Sequence, residues 1–495
     1  MAYKHGVYTS EVPTSIVPAV NSTAGLPVVF GTAPIHLASN RAEVNKPILC
    51  YTYAEAVAAM GYSEDWEKYT LCETIYSQYS LYAVSPTVFV NVLDPKKHKA
   101  TVSDKEVQFN SEKTVIVNDP VLLETLKVKK ASAAQIPLGY FGKPEDIAGQ
   151  PLTEGVDYEA AFDSDGNLVI TALSGGQLTD SAFLDYEKID PSAVDKDDII
   201  GGIDISTGAY TGLENLSKVF PLYRLVPGMV LAPGWTHDPE VAAVMTAKAS
   251  TINGLFKASV LVDVPADTVR KYTDVPAWKN NNNYVGVDQI VCWPMVKLGE
   301  KKYHLSTAIM GAMGVLDAKN DDIPYESPSN KNIQMDGLCL SDGTEVVLDL
   351  EQANYLNGQG VVTALNFIGG WKLWGNRTGC YPANTDVKDN FICLRRMFNW
   401  HAQTFIQSYW SKVDNPMNKR LIDLVVDSEN IRINGFVSRG FLLGGRIEYL
   451  KEENPTTDQM DGIVRFHTYF TPPVPARVIE NTIEFDTSYL ETLFG

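Results

Sequence analysis

The sequence predicts a multidomain α/β protein: an α/β core, an inserted all-β domain, a C-terminal α+β domain, and extended strand arms at both ends. Three observations carry this. The 495 residues exceed the roughly 250–300 at which one hydrophobic core stops growing. Strand-length apolar runs alternate with helical stretches through 27–94 and 200–325, the order of a parallel sheet covered on both faces. Between them, 95–199 is dense in Asp, Glu and Lys and holds only short β-like runs.

Residues 1–26 form the N-terminal arm. They alternate small, polar and β-branched residues around Pro13 and Pro18, so no useful helix fits. Gly6–Val12 reads as a short strand on a tether. The first part of the α/β unit, 27–94, has a strand at Val28–Gly31, a helix at Tyr53–Met60 closed by Gly61, a longer helix at Trp66–Ala83 and a strand at Thr87–Leu93. In the inserted domain, 95–199, β-like runs appear at Thr114–Val117, Tyr158–Phe162 and Leu168–Ala172. The turn Asp165–Gly166–Asn167 joins the last two as a hairpin.

The α/β domain, 200–359, has strands at Met229–Ala232, Ala258–Val264 and Ile290–Val296. A helix starts at Pro239 behind an Asp238 cap, another lies near Asp267–Tyr272, and a third, Leu305–Asp317, carries small residues for close packing. The C-terminal domain, 360–475, opens with strand Val361–Phe367, Gly369–Gly370 and Trp371–Trp374. Helices follow at Asp389–Lys412 and from Pro416, then strands Phe441–Tyr449 and Val464–Phe470. Pro472, Pro473 and Pro475 stiffen the link to the last arm, 476–495. Its strand Arg477–Phe485 has no sequence-local partner, and a strand without one tends to complete another chain's sheet.

Net charge is −19, which excludes nucleic-acid binding through a general field. It serves solubility, or an acidic face meeting a basic partner. The six cysteines form no CxxC pair and most sit in apolar surroundings, so they read as buried thiols. No apolar leader and no membrane-length run is present, so a cytoplasmic, non-inserted protein is expected. No P-loop, GxSxG, HExxH or GxGxxG occurs. His401 reads as an interior histidine on an aromatic helix, and Asp317 with Asn320–Asp321–Asp322 as a solvated loop. No catalytic residue, metal ligand or cofactor is assigned.

From end to end, the chain resembles the tail sheath proteins of contractile phages and related bacteriocins. The carrying landmarks begin with His5–Gly6–Val7–Tyr8, Glu11–Val12 and Asn45–Lys46–Pro47–Ile48–Leu49. Thr211–Gly212–Leu213, Pro227–Gly228 and Pro233–Gly234 follow, then Trp374–Gly375–Asn376–Arg377–Thr378 and the ending Tyr469–Phe470–Thr471–Pro472–Pro473–Val474–Pro475. The resemblance implies a subunit of hexameric rings. These polymerise around a tail tube, hold a metastable extended state, and contract to drive the tube through a cell envelope. It further implies a non-catalytic subtilisin-like α/β domain and terminal strands exchanged between neighbours. The partners implied are the chain itself, the tail tube, the baseplate and the tail terminator, in a virion tail assembled in the host cytoplasm.

Candidate residues follow. Gly6, Val7, Tyr8 and Val12 in one arm, and Arg477, Val478, Ile479, Ile483 and Phe485 in the other, are expected to pair with neighbouring subunits. Lys419, Arg420, Asp423 and Asp427 form the polar face of the helix from Pro416, opposite Leu421, Leu424 and Val425. They are candidates for facing the tube. Trp374, Asn376 and Arg377 are expected to be structural, with Arg377 buried beside Trp371 and Trp374 and paired with a carboxylate or carbonyls. The alternatives are a non-contractile tail or capsid assembly protein, and an α/β hydrolase.

Overall fold

The computed structural model describes residues 24–130, 150–163, 165–178 and 180–493. The expected strand at Gly6–Val12, with Gly6, Val7, Tyr8 and Val12, lies outside the described residues. The chain divides into two compact units, one running to Pro416 and one beginning at Met417.

In the larger unit, β1 (Pro27–Gly31), β2 (Ile48–Cys50) and β3 (Thr87–Asn91) open the main sheet, with helices α1 (Tyr53–Met60) and α2 (Thr70–Tyr76) between β2 and β3. α1 starts where Thr52 accepts the Glu55 N–H at 3.2 Å and closes at Gly61, as predicted. α2 is shorter than the expected Trp66–Ala83. The loop after β1 captures its first turn: Thr32 Oγ1 accepts the Thr70 N–H at 3.1 Å, and the Thr32 carbonyl accepts the Leu71 N–H at 3.0 Å. Only glycine allows this approach at position 31, where a Cβ would lie 2.3 Å from Thr70 Oγ1. The helix then widens into a π-type turn, Ser77–Leu81.

The insertion follows as β4 (Lys99–Gln108), β5 (Thr114–Val117), β6 (Lys127–Lys130), β7 (Tyr158–Phe162), β8 (Leu168–Ala172) and β9 (Ser181–Ile189). They form two three-stranded antiparallel sheets, β4-β9-β6 and β5-β8-β7. Their inner faces close on a separate core that includes Val107, Val128, Leu168, Ile170, Leu184 and Tyr186. The β7–β8 hairpin turns where predicted, with Asp163 Oδ1 accepting the Asp165 and Asn167 N–H groups at 2.9 and 2.8 Å. The two ends of the insertion lie together. β4 and β9 pair from Lys99 opposite Ile189, the Asp190 N–H donates to the His98 carbonyl at 3.0 Å, and Asp198 holds Lys97 and His98.

After α3 (Lys196–Ile200) and α4 (Val219–Tyr223), the main sheet resumes with β10 (Met229–Leu231), α5 (Pro239–Ser250), β11 (Ser259–Asp263), α6 (Val275–Asn281) and β12 (Gln289–Cys292). α5 begins as read from the sequence, with Asp238 accepting the Glu240 N–H at 2.8 Å and Pro239 in the first turn. The helix expected near Asp267–Tyr272 is not there. Asp267 bonds only the next amide, Thr268, at 2.7 Å, and the helix forms later around Pro276. The run Ile290–Val296 splits at Pro294, which has no N–H to continue a ladder. Its second half, β13 (Met295–Leu298), joins β14 (Lys301–Tyr303), β15 (Gly337–Cys339) and β16 (Glu345–Val346) in a small antiparallel sheet. α7 (Leu305–Lys319), almost wholly buried, and α8 (Leu350–Asn357) complete this region.

β17 (Val361–Phe367) and β18 (Gly370–Trp374) then finish the main sheet, whose order is β18-β17-β12-β11-β10-β1-β3-β2. Every inner pairing from β3 to β17 is parallel, and only the two edge pairs are antiparallel. The boundary expected at 360 is therefore corrected: β17 is hydrogen-bonded into the α/β sheet, and α9 (Val387–Asn390) and α10 (Ile392–Tyr409) stay in the same unit. The second unit holds α11 (Lys419–Ser438), β19 (Gly444–Glu448), α12 (Thr456–Met460) and β20 (His467–Thr471). α11 begins three residues later than Pro416, where Asn418 accepts the Leu421 N–H at 3.0 Å. All six cysteines are buried and unpaired, and burial pushes Cys50, Cys72 and Cys393 up to about 12. No described helix is long and apolar enough to cross a membrane.

Candidate assembly surface

In the second unit, α11 is amphipathic. Val425, Ser428, Glu429, Ile433 and Phe436 are buried, while Lys419, Arg420, Asp423 and Asp427 are exposed on the other side. Leu421 and Leu424 are half-buried. Beneath the helix, Glu429 and Arg432 form a buried pair, with Arg432 Nε at 3.0 Å from Oε2. α11 packs on β19, which pairs antiparallel with β20 from Gly444 opposite Thr471 to Glu448 opposite His467. Asn430 of α11 reaches the β19 backbone: the Ile447 N–H donates to Asn430 Oδ1, and Asn430 Nδ2 donates to the Ile447 carbonyl, both at 3.0 Å. A sheet of only two strands is marginal alone, and among the described residues no third strand joins this one.

Beyond β20 the chain leaves the sheet. Pro472 is buried, but from Arg477 to Leu490 every residue is exposed. Arg477–Phe485 makes no ladder among the described residues, so the strand expected there is absent from the single chain. A strand exists only through a partner's hydrogen bonds, and none is supplied. Val478, Ile479, Ile483 and Phe485 are consequently left in water at 55, 88, 88 and 75% exposure, beside an equally exposed Arg477.

The Trp374–Thr378 motif lies in the first unit and ties three elements together. Trp374 Nε1 donates to Asn354 Oδ1 of α8 at 2.9 Å, and the Asn376 N–H donates to Asn357 Oδ1 at 3.1 Å. The Asn376 carbonyl accepts the first amide of α10, Ile392, at 3.0 Å. Arg377 is half-buried, but not beside Trp371 and Trp374 as expected. Its guanidinium stacks on Phe391 and Tyr381, 3.8 and 4.3 Å from their ring centres, and bonds the Asn390 side-chain carbonyl. The rings that reach it come from the loop leading into α10, not from the preceding strand.

Two polar clusters escaped the sequence reading. Asp317 is not in a solvated loop but fully buried on α7, gripped by both guanidinium nitrogens of Arg396 on α10. Arg396 Nη2 also donates to the Ala24 carbonyl at 3.1 Å, and a Cβ on Gly228 would lie 2.0 Å from that oxygen. Ala24, where the described chain begins, is therefore pinned to the sheet. Removing one partner of such a buried pair costs about 3–5 kcal/mol.

The second cluster sits at the N-terminus of α7. Asp263, at the end of β11, accepts the Ser306 N–H at 3.0 Å and the Ser306 hydroxyl. Glu73 of α2 accepts from Thr307 Oγ1 at 2.6 Å and lies 3.0 Å from His304 Nδ1. Burial disfavours a charged His304 ring, but the charge and hydrogen bond of Glu73, with Asp263, outweigh it and push its pKa up to about 9. An imidazolium held by a carboxylate at neutral pH is no general base, and the serine is bonded to the aspartate instead. The cluster caps a helix. His401, on α10, is half-buried rather than interior.

No family model matches the chain. A tail sheath protein of Burkholderia phage BcepMu is 27% identical over 516 aligned residues, covering 100% of this chain and 99% of that one. The major tail sheath protein of Serratia phage KSP20 is 30% identical over 147 residues, 29% of this chain and 35% of its own length. Among solved structures, the sheath of the PVC extracellular contractile injection system in its contracted state aligns with a TM-score of 0.57 at 13% identity, covering 99% of each chain. The contracted helical sheath of the anti-feeding prophage aligns at 0.53 and 13% identity, over 98% of this chain and 100% of that one. The chain is thus similar from end to end to a phage tail sheath protein and shares the fold of solved contractile sheath subunits.

Proposed function

We propose that this chain is the structural subunit of a contractile tail sheath, which polymerises around a tail tube and shortens to drive the tube through a target envelope. The carrying observation is the end-to-end relation to a phage tail sheath protein. The bare C-terminal tail and the two-stranded β19–β20 sheet supply a means of polymerisation. From Arg477 to Phe485 the tail offers exposed apolar side chains on a backbone that forms no ladder among the described residues, and the sheet is one strand short of the three that stand alone. Exchanged arms, the tail and residues 1–24, link each subunit to its neighbours. The exposed charged face of α11 meets the tube, and the baseplate seats the first ring. None of this requires covalent chemistry.

Expression of the full chain alone tests the reading: electron microscopy is expected to show long hollow tubes. A chain lacking residues 1–24 is expected to stay folded and soluble without forming tubes. Normal tubes from that deletion would remove the leading arm from the assembly.

A further inference from the structure

Between α3 and the 3-10 turn Gly212–Lys218, residues 201–211 form a loop that braces itself. The Asp204 N–H donates to the Ala209 carbonyl at 2.9 Å, the Gly208 N–H to the Asp204 carbonyl at 2.7 Å, and the Thr211 N–H to the Gly202 carbonyl at 2.9 Å. Asp204 Oδ1 accepts the Ser206 and Thr207 N–H groups at 2.7 and 2.9 Å. This bracing leaves Ile203 exposed and Ile205 wholly in water. A loop already ordered gives up little entropy on docking, so a bare isoleucine fixed this way is suited to binding.

A groove of about 440 Å³ lies between α7 and the π-type turn. Leu81, Tyr82, Ala312, Val315 and Leu316 line it, and its only charged lining residues are Lys319 and Lys331. Glycine lets the turn settle on the helix: a Cβ at Gly311 would lie 2.2 Å from the Tyr82 ring. The Tyr82 hydroxyl accepts the Gln334 N–H at 3.1 Å, which fixes the ring as a wall. Lys331 is paired with Glu326, whereas Lys319 is exposed and makes no ion pair among the described residues.

Loop and groove lie on opposite faces of the main sheet. The step from β1 to β3 runs one way along the sheet order and the step from β10 to β11 the other, so right-handed crossovers set α2 and α5 on opposite faces. α7 sides with α2, where Thr307 bonds Glu73. The elements flanking the loop side with α5, through the ion pairs Lys196–Glu240 and Glu214–Lys248.

We propose that the loop at 201–211 of one copy seats in the α7 groove of the next, with Ile203 and Ile205 against its apolar lining and Asp204 toward Lys319. This rests on the polymer reading above and goes beyond it by naming a contact between subunit bodies, separate from the terminal arms. The occupant is a second copy because the two patches match in kind: Asp204 is the only charge in the loop, and the groove's lining charges are both positive. A patch that fits a different patch on the opposite face joins copies head to tail, the contact type that builds rings and helices.

All six native cysteines are buried, so introduced thiols report on the surface alone. Full-length Ile205→Cys and Val315→Cys chains, one carrying a size tag, are mixed, assembled into tubes and treated with a mild oxidant. Non-reducing electrophoresis is expected to show disulfide dimers of the two chains. The rival occupants are tested by replacing Ile205→Cys with Ile368→Cys, at the exposed tip between β17 and β18, or Ile479→Cys, in the tail. Preferential cross-linking of Val315→Cys to either rival overturns the assignment. Ile205→Asp and Lys319→Glu, both at exposed positions, are each expected to lower tube yield severalfold with an unchanged melting curve. Normal tubes from Ile205→Asp, or intact tubes without the 205–315 cross-link, overturn this contact and leave the sheath reading standing. An unsubstituted chain that forms no tubes overturns the sheath reading, and this contact with it.

Discussion

His304 shows how a single residue couples the fold to pH. Its pKa is raised from an ordinary 6.5 to about 9, and the charged groups facing it are Glu73 from α2 and Asp263 from β11. A raised value means the folded state holds the proton more tightly. The stabilisation is therefore complete below about 6.5 and is lost as pH rises through about 9. The thermal midpoint is expected to fall across that interval, and His304→Gln is expected to flatten the fall while lowering stability near pH 6. Melting curves followed by circular dichroism check both; an unchanged pH slope in His304→Gln refutes the assignment. None of this was legible in the sequence, because Glu73 and His304 are separated by 231 positions. Asp317 and Arg396 hid for the same reason, and a run of Asp and Asn beside Asp317 looked like a solvated loop. By contrast, the Asp238–Pro239 cap was legible, since donor and acceptor are two residues apart.

At the scale of elements, short-range chemistry decided what could be read. The β7–β8 hairpin and α1 were found because their turn and cap residues lie within them. α2 was misjudged because its first turn is completed by Thr32, far back in the chain. The tail strand was read from its alternation, yet alternation states only which side chains share a face. Under the proposed function, another chain would supply the ladder. For α11 the periodicity gave both faces, and the exposed one is a candidate for docking the tube. Exposed ion pairs contribute only about 0–1 kcal/mol each, which suits a contact that must release. Reversing Arg420→Glu and Asp423→Lys is expected to shift stability by less than about 0.5 kcal/mol. It is expected to weaken co-sedimentation of sheath with purified tube while sparing tube-free sheaths. Equal loss of both assemblies would assign this face to sheath–sheath contact.

At the scale of the whole molecule, the parallel sheet announced itself through its strand–helix succession, whereas the division at Pro416 did not. Val361–Phe367 looks like the start of something new and is in fact hydrogen-bonded between β12 and β18. In the proposed sheath, the arm tethers would carry force from one ring to the next. Three extra residues lengthen a tether by ~10 Å. Inserting Gly-Ser-Gly after Val20 or after Pro473 is expected to give sheaths that assemble but contract poorly, and triggered contraction viewed by electron microscopy reads this directly. Full contraction in both insertions would show that other contacts carry the load. The insertion at 95–199 is expected to project outward, so a Gly/Ser bridge in its place should leave polymerisation intact. Loss of assembly by a folded bridged chain would place it in the contacts.

The closed base of that insertion has a practical corollary. Because Lys99 sits opposite Ile189 and His98 is bonded to Asp190, the two joints form a socket of fixed width. The α/β sheet on the other side needs only that the socket stay shut. Any foreign module whose termini emerge side by side meets that condition. A sleeve built from such chimaeras would carry its cargo at every subunit, as a display lattice whose spacing changes when the sleeve fires.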